Sequence, residues 1–306
     1  MEFKHEPVLL KECIKALNIN PDGIYIDGTL GGAGHSLEIA KKLSPKGLLI
    51  GIDRDTEALR AAKDKLKNYT NVKYIHDNIK QILEELQING VDGILLDLGV
   101  SSYQLDEKSR GFSYIADAEL DMRMDKEQKL TAREIVNTYS EEKLANIIWE
   151  YGEERFSRQI ARNICKSREQ KKIETTGELV EIIKKSIPLS KQKDGHPAKR
   201  TFQAIRIEVN NEIQPLYNTI LDCINCLNKN GRLAVLTFHS LEDRAVKKAY
   251  NEAEGKCTCP SDLPYCVCGA ISQGKIINKK PIEATKEETE RNSRAKSAKL
   301  RIFEKR

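Results

Sequence analysis

The sequence predicts an α/β fold in which a parallel sheet covered by helices is interrupted by an all-helical insertion. Over the first hundred residues, short apolar runs alternate with helical patterns, and strand-like runs return after residue 230. Between these parts, from Gln104 to about Asn211, charges are frequent and the apolar residues follow helical periods. Apolar strands that alternate with helices are typical of parallel sheets, because such strands are buried on both faces.

The individual elements follow from these patterns. Strands are predicted at 23–27, 48–52, 72–75 and 93–97, separated by helices at about 36–43, 56–66 and 79–86. In the insertion, helices are predicted at about 130–139, 141–151, 153–172, 177–186 and 201–217, and the strands return at 232–238 and 299–303. We therefore expect a discontinuous α/β domain, 1–103 with 212–306, and a helical insertion, 104–211.

The composition is that of a folded, water-soluble chain. Of the 306 residues, 39% are hydrophobic and 32% charged, and the formal net charge is +5. No apolar run approaches the roughly 18 residues of a membrane helix, and the N-terminus has no stretch like a signal peptide. We therefore expect a cytoplasmic protein without membrane contact, in which the cysteines are thiols or metal ligands rather than disulfides.

The positive charge is concentrated in two segments. Residues 269–306 contain eleven Lys or Arg against five Glu, and residues 155–172 contain seven against one. One such segment is most often a solvated surface. Two of them, far apart in the sequence, also fit a polyanionic partner, and composition alone leaves both interpretations open.

A glycine-rich turn, residues 28–34, joins the first predicted strand to the first helix. Glycines in such a turn let a ligand approach backbone amides that no Cβ shields. The spacing is not the G-x-G-x-x-G of dinucleotide sites, so by itself the turn also fits a plain strand-to-helix connection.

Acidic residues end successive predicted strands, which strengthens the case for a ligand site. Asp53 lies 19 residues past Gly34, where a carboxylate can accept both ribose hydroxyls, and Asp97 ends the fourth strand. Ligands of parallel α/β sheets bind at this carboxyl edge. Because the turn contains no Lys or Arg for a pyrophosphate, and a cationic sulfonium suits Asp27 and Asp97, S-adenosylmethionine is favoured over NAD.

Several blocks of the chain together resemble one family, the bacterial 16S ribosomal RNA N4-cytosine methyltransferases. The blocks, in order, are 5–10, 25–29, 34–36, 52–55, 95–102, 110–113, 120–125, 151–156, 200–206 and 238–244. The resemblance covers nearly the whole chain. It implies a class I (Rossmann-like) methyltransferase domain with a helical insertion, and transfer of a methyl group from S-adenosylmethionine to N4 of cytosine 1402 in the decoding region.

The resemblance also implies a set of cofactor contacts. These are Ala33, Gly34, His35, Asp53, Ile79, Asp97 and Gln104. Ile79 departs from the family, whose members usually have an aromatic residue at this position near the adenine. An aliphatic side chain can still cover a ring face, so we expect modestly weaker stacking rather than loss of binding.

The chemistry requires an acceptor for a hydrogen of cytosine N4, because the amine lone pair is delocalised into the ring. Many amino methyltransferases use a Pro-Pro turn after the fourth strand, and this chain has no Pro-Pro pair. Asp97 and Ser101, with the neighbouring Ser102, are the predicted substitutes. His239 and Ser240 are placed at the end of the returning strand as contacts of the base or acceptors of the proton, although His239 also fits a structural histidine.

A basic stripe is predicted to bind RNA phosphates once the target base is unstacked. Arg155, Arg158, Arg162 and Lys166 follow helical steps of three or four residues, opposite an apolar face. Lys199 and Arg200 form a second candidate contact. The expected partner is 16S rRNA or the small ribosomal subunit, and no DNA is expected.

The cysteines fall into two groups. Cys257, Cys259, Cys266 and Cys268 form a C-x-C, C-x-C array that fits either a zinc site or a thiol-rich loop. Cys223 and Cys226 follow a helical pattern and are expected to pack as hydrophobic residues.

Three alternative functions remain. A DNA N4-cytosine methyltransferase would carry the absent Pro-Pro turn, and an NAD-dependent oxidoreductase would carry the regular glycine spacing. A non-catalytic RNA-binding module is opposed by the intact set of acidic residues at the strand ends.

Overall fold

The computed structural model describes residues 7–79, 90–193, 195–257, 259, 263, 265, 267 and 269–306. The chain divides into two compact units. The first comprises Met1–Gly99 with Ile213–Arg306, and the second comprises Val100–Glu212. Among the described residues, no helix combines the length and the apolar character that a bilayer span requires.

The first unit is built around a mixed sheet with helices on both faces. Its strands are β1 (Ile24–Asp27), β2 (Leu48–Asp53), β3 (Val72–His76), β4 (Val91–Asp97), β5 (Leu227–Thr237), β6 (Gly274–Ile276), β7 (Ile282–Glu283) and β8 (Lys299–Lys305). Its helices are α1 (Leu10–Leu17), α2 (Gly34–Ala40), α3 (Thr56–Lys65), α10 (Leu216–Cys226), α11 (Ser240–Ala253) and α12 (Lys286–Arg291), with a 3₁₀ turn at Ser293–Ser297. The predicted helix 79–86 falls largely on residues 80–89, outside the described part of the chain.

The described strands are ordered β3-β2-β1-β4-β5-β8-β6, and β7 pairs with β8. The strands from β3 to β5 are parallel, which confirms the predicted α/β class. β8 runs antiparallel to β5, with Val235 opposite Arg301. An apolar run such as 299–303 predicts a strand but not its direction, so the antiparallel side of the sheet was not predictable from the pattern.

Alternate side chains of the strands pack into two hydrophobic cores, one on each face of the sheet. In β4, Leu95 packs with α1, α2 and α3, whereas its neighbours Ile94 and Leu96 pack with α10 and α11. All three side chains are almost fully buried. Because successive side chains of a strand point to opposite faces, apolar residues at consecutive positions produce a sheet covered on both sides.

The second unit is helical in its described part. After a short helix α4 (Ser102–Asp106) and a 3₁₀ turn (Lys108–Arg110), it contains α5 (Ala132–Thr138), α6 (Glu141–Gly152), α7 (Ser157–Gln170), α8 (Thr176–Ser186), a 3₁₀ turn (Leu189–Lys191) and α9 (Lys199–Asn210). Leu144, Ile160, Ile164 and Ile205 are fully buried in its own core. This unit therefore has a hydrophobic core of its own.

Two predicted helices of this region are wrong in extent. The predicted helix 153–172 begins only at Ser157, because Glu153 adopts a left-handed conformation (φ 50°) that ends α6. The predicted helix 201–217 is divided at Asn211 (φ 48°), and α10 restarts with Pro215 as its N-cap. Left-handed residues end helices, and a proline is tolerated at a helix start but not in its interior.

The side chain of Asn210 connects the end of α9 to the loop before α5 through hydrogen bonds. Its side-chain oxygen accepts from the Met124 N–H (2.8 Å), and its amide donates to the carbonyls of Met122 (2.8 Å) and Arg206 (2.9 Å). Met122 itself has a left-handed backbone (φ 61°), which is costly for a residue other than glycine. The buried Asn210 amide thus holds a strained loop in place.

We expect Asn210→Ala to lower the free energy of unfolding by roughly 2–4 kcal/mol, because it leaves buried backbone groups without partners. Urea unfolding monitored by circular dichroism measures this change. Asn146→Ala on the exposed face of α6 is the matched control and should be neutral or slightly stabilising. Equal stability of the two variants would show that Asn210 does not hold the loop.

Candidate functional site

The turn between β1 and α2 is organised by Asp27, the last residue of β1. Its carboxylate accepts a hydrogen bond from the Ser36 hydroxyl (2.7 Å) and another from the Thr29 N–H (3.2 Å). The side chain is buried, and this burial raises its pKa. Thr29 in turn accepts a hydrogen bond from the Asp97 N–H through its hydroxyl oxygen (2.6 Å), which ties the turn to the end of β4.

Gly28 is closely packed against two apolar side chains. A Cβ on this residue would come within 2.5 Å of Ile79 Cδ1 and 2.6 Å of Leu96 Cδ2. Ile79, a predicted cofactor contact, therefore lies against the glycine turn. At the other end of the turn, Ala33 has a left-handed backbone (φ 54°) and is the N-cap of α2, which Gly34 begins. Strain of this kind in a non-glycine residue is frequent at ligand sites.

Asp53, at the end of β2, holds the other side of the turn. Its two oxygens accept hydrogen bonds from the N–H groups of Gly31 (2.7 Å) and Asp55 (2.8 Å). Burial raises the pKa of this carboxyl group. Each carboxylate oxygen has a second lone pair, so Asp53 keeps the capacity to accept further hydrogen bonds.

Asp97, at the end of β4, is the least satisfied carboxylate of this edge. Although 29% of its side-chain surface is accessible, Oδ1 is shielded from solvent and has no hydrogen-bond partner in the described part of the chain. Burial, and secondarily the negative charge of Glu242, raise the pKa of Asp97 to about 7. This carboxyl group is thus poised to exchange a proton near neutral pH.

His35 is the neighbour of Asp97. The ring is buried, and this burial lowers its pKa, so the imidazole is neutral at pH 7. Its Nε2 lies 3.0 Å from the carbonyl oxygen of Val8, which requires the hydrogen on Nε2. Nδ1 therefore carries a lone pair, and it lies 3.7 Å from Asp97 Oδ2. A protonated Asp97 suits this arrangement better than a carboxylate facing a lone pair.

His239 and Ser240 do not end the returning strand as predicted. β5 ends at Thr237, His239 is the N-cap of α11, and Ser240 is the first residue of that helix. Glu242 completes a capping box with His239 and accepts a hydrogen bond from the Phe238 N–H (2.7 Å). His239 Nε2 lies 3.0 Å from Glu242 Oε1 without forming a hydrogen bond. The capping role supports the structural interpretation of His239.

Ser101 and Gln104 belong to the second unit, where they form a capping box at the start of α4. The Ser101 hydroxyl accepts from the Gln104 N–H (3.2 Å), and the Gln104 side chain accepts from the Ser101 N–H (3.1 Å). Gln104 is 4% exposed. These contacts show that both residues stabilise the start of α4. The catalytic role predicted for Ser101 and the cofactor contact predicted for Gln104 stay predictions.

The six predicted RNA contacts are all exposed: Arg155, Arg158, Arg162, Lys166, Lys199 and Arg200. Ile160 and Ile164 lie on the opposite, buried face of α7, as predicted. Arg155 precedes α7 rather than lying on it. The Arg200 guanidinium donates to the Glu153 carbonyl (3.3 Å), which brings the second basic segment beside the first.

Arg162 lies 3.7 Å from a carboxylate oxygen of Glu141, but local helix stability does not explain the cations at the starts of α7 and α9. Neither α7 nor α9 has an acidic residue in its first turn, whereas α5, α6 and α8 all do. Lys199 and Arg200 occupy the first two positions of α9, where the helix dipole disfavours positive charge. A negatively charged partner would offset this cost.

The cysteine array is only partly visible. Cys257 is exposed and Cys259 half-buried, and the Cys259 sulfur accepts a hydrogen bond from the Val267 N–H (3.3 Å). Cys266 and Cys268 lie outside the described residues. The zinc site therefore stays a prediction. Cys223 and Cys226 are buried in α10, which confirms their interpretation as packed hydrophobic residues.

Three side chains that organise the site were missed: Thr29, Ser36 and Glu242. Thr29 and Ser36 act through contacts across the turn that no local pattern shows. Glu242 had a local signal, because it stands three residues after His239 at a helix start, as in a capping box. Its electrostatic effect on Asp97 depends on the sheet topology and was not readable from the sequence.

The edge of the sheet therefore presents a strained glycine turn, two anchored carboxylates and one proton-exchanging carboxylate. Such a set of acceptors suits a ligand with hydroxyl and amine donors and a positive charge. No Lys or Arg side chain among the described residues of the turn, 28–34, is present to bind a pyrophosphate.

Comparison with known proteins places the whole chain in one family. The profile of the MraW methylase family matches residues 2–306. Proteins called ribosomal RNA small subunit methyltransferase H from two Clostridium botulinum strains, Kyoto / Type A2 and 657 / Type Ba4, are 63% identical, with 100% of both chains covered. The crystal structure of an rRNA methylase from Streptococcus thermophilus is similar with a TM-score of 0.41 and 10% identity, covering 97% of this chain and 93% of its own. The full-length match and the high identity confirm the predicted relationship: the chain belongs to the MraW methylase family.

Proposed function

We propose that the protein transfers a methyl group from S-adenosylmethionine to N4 of cytosine 1402 in 16S rRNA. Membership of a methylase family supports methyl transfer, and the names of the 63% identical relatives support a small-subunit rRNA substrate. The observation that carries the proposed chemistry is the Asp97 oxygen without a partner, beside the glycine turn. A ribosomal RNA substrate would place the activity in the bacterial cytoplasm.

The residues of the first unit fit the proposed methyl donor. The Ile79 side chain packs against Gly28 and brings an apolar surface suited to a ring face beside the glycine turn. Asp53 has lone pairs for ribose hydroxyls. S-adenosylmethionine supplies an electrophilic methyl group on a cationic sulfur, and Asp97 offers the complementary negative charge. We accordingly assign Ala33, Gly34, His35, Asp53, Ile79 and Asp97 to this ligand.

Asp97 has the properties required to activate the cytosine amine. An acceptor that holds one N4 hydrogen turns the nitrogen lone pair towards the methyl carbon, and it can take up the proton that N4 loses after methylation. Oδ1 has no competing hydrogen bond in the described part of the chain, and the pKa of about 7 suits a group that accepts and releases a proton.

The basic surface of the second unit is proposed to hold the RNA backbone. Its six exposed cations come from two sequence segments that meet at the Arg200–Glu153 contact. Phosphate contacts of this kind position a nucleic acid without reading its sequence. Recognition of one cytosine must therefore come from elsewhere, and the base itself must be unstacked to reach Asp97.

Asp97→Asn should lower methyl transfer to 16S rRNA by roughly a hundredfold to ten-thousandfold, because an amide cannot accept the proton. Tritiated-methyl transfer measures the rate, and mass mapping of the rRNA identifies the modified base. Asp64→Asn, an exposed carboxylate on α3, is the control and should leave the rate unchanged. Full turnover by Asp97→Asn with unchanged donor affinity would remove Asp97 from the proposed chemistry.

Binding of S-adenosylmethionine should strengthen as the pH rises from about 6 to 8. The pKa of Asp97 is raised to about 7, so the group is protonated at the lower pH, and the cationic donor favours its ionised form. Donor affinity should rise by up to about tenfold per pH unit below 7 and level off above it. Calorimetry at several pH values measures this dependence.

The demethylated product is the control for this dependence, since its sulfur is neutral. Its affinity should change less over the same pH range. Asp27 and Asp53 also have raised pKa values, so Asp97→Asn identifies the responsible group by flattening the profile. Parallel pH profiles for donor and product would contradict a titrating carboxylate beside the sulfur.

Arg158→Glu combined with Arg162→Glu should weaken RNA binding and make it less sensitive to salt, because fewer phosphate-bound counterions are released. Fluorescence anisotropy with a labelled rRNA fragment over a range of NaCl concentrations measures both quantities. Lys11→Glu with Lys15→Glu changes the same charge at the same helical spacing on α1. Identical affinity and salt slope in the two double variants would exclude α7 as an RNA contact.

A further inference from the structure

The first unit contains a cationic pocket that the proposed chemistry does not use. It has a volume of about 170 Å³ and lies between α11, β8 and the segments around residues 256 and 279. Four of its lining residues are cations: Lys247, Lys256, Lys279 and Arg301. Two of them, Lys279 and Arg301, come from the strongly basic segment 269–306.

Arg301 gives the pocket a fixed donor. The side chain is buried, and its Nε and Nη2 donate to the two oxygens of Asp243 (2.6 and 3.0 Å). Nη1 makes no hydrogen bond in the described part of the chain. A guanidinium held by a bidentate carboxylate is immobile, so its remaining N–H groups are preorganised for a further acceptor.

The charges of the pocket are not balanced. Asp243 is paired with Arg301, and Glu254 with Lys256 (2.8 Å). Lys247 and Lys279 are exposed and have no ion-pair partner among the described residues. Asp243 and Glu254 also attract Lys247 and Lys279, but four cations against these two acids leave the pocket with a net positive charge, which favours an anion.

The polar groups around the pocket are donors. The Asn251 oxygen accepts a hydrogen bond from Lys256 Nζ (2.8 Å), which leaves the Asn251 amide hydrogens for an acceptor. The Tyr250 hydroxyl is already used, since it donates to the Leu233 carbonyl (3.0 Å). Guanidinium, ammonium and amide donors together are the groups that bind phosphate oxygens.

We propose that this pocket binds a backbone phosphate of the RNA at a distance from the nucleotide that enters the site. The inference rests on the proposed function, which supplies the polyanion. α11 begins beyond the carboxyl end of β5, and Tyr250 near its other end donates to the Leu233 carbonyl, closer to the start of that strand. The pocket therefore lies along the sheet away from the edge that carries Asp97, and a phosphate bound there would belong to RNA that extends beyond the target nucleotide.

The test compares two double variants that remove the same charge. Lys247→Ala with Lys279→Ala changes the pocket, whereas Lys248→Ala with Lys280→Ala changes the adjacent residues, which do not line it. Anisotropy with a labelled RNA fragment of the decoding region, without methyl donor, gives affinity against NaCl concentration. Melting temperatures and S-adenosylmethionine affinity should be equal for all three proteins.

The pocket variant should bind RNA more weakly, with a salt slope smaller by about one. The ratio of its RNA dissociation constant to that of the wild type should therefore fall about fourfold between roughly 50 and 200 mM salt. The control variant should lose less affinity. Equal affinities and slopes for the two variants would overturn the proposal, and so would failure of the wild type to bind RNA.

Two further results distinguish RNA binding at this pocket from the proposed methyl-transfer activity and from binding of a free anion. Wild-type protein that binds RNA through the pocket but transfers no methyl group would refute the proposed activity and leave the pocket assignment standing. Calorimetry with inorganic phosphate tests a site for free anions. Tight phosphate binding, abolished by Lys247→Ala with Lys279→Ala while RNA binding is unaffected, would overturn the RNA assignment.

Discussion

Three carboxylates at one edge of the sheet determine the local structure of the first unit. Burial raises the pKa of Asp27, Asp53 and Asp97, so each must be compensated or remain protonated near neutrality. Asp27 and Asp53 are compensated by amides of the glycine turn, at Thr29 and Gly31. The conformation of the turn is therefore a consequence of satisfying these two groups, and Asp97 is left as the chemically responsive one.

In the second unit, the informative charges are those in the first turns of the helices. Three of its six described helices, α5, α6 and α8, follow the usual rule that acidic residues occupy the first turn, as Glu134 and Glu178 do in their capping boxes. α7 and α9 break this rule with exposed cations. At the starts of α7 and α9, local helix stability and surface charge are in conflict, and the total charge of the chain does not show this.

The fold class was predictable because apolar periodicity is a local property. Alternation in β4 and the helical period of α7 both appear in the sequence, and the strand ends located Asp53 and Asp97 correctly. Long-range contacts were not predictable. The direction of β8, the effect of Glu242 on Asp97 and the convergence of Lys247, Lys279 and Arg301 on one pocket all depend on topology.

The helix ends show a second limit. Glu153 and Asn211 adopt left-handed backbones at helix ends, where glycine is the usual signal. Without that signal, the pattern around Asn211 predicts one continuous helix, and the helix after residue 152 is predicted to begin at 153 instead of 157. The capping roles of Ser101 and His239 were also overlooked, since the same side chains had been assigned to chemistry. Polar residues at helix starts serve structure often enough that a catalytic role needs independent support.

The position of β8 has a consequence for biosynthesis. Residues 299–305 lie inside the sheet, between β5 and β6, although they are translated well after β5. Until they emerge, β5 has an unpaired side and offers its backbone to other nascent chains, a recognised route to aggregation. The helical unit is encoded without interruption by residues 100–212 and can close its own core earlier. Chaperone dependence should accordingly concentrate on the interval between the synthesis of β5 and the synthesis of β8.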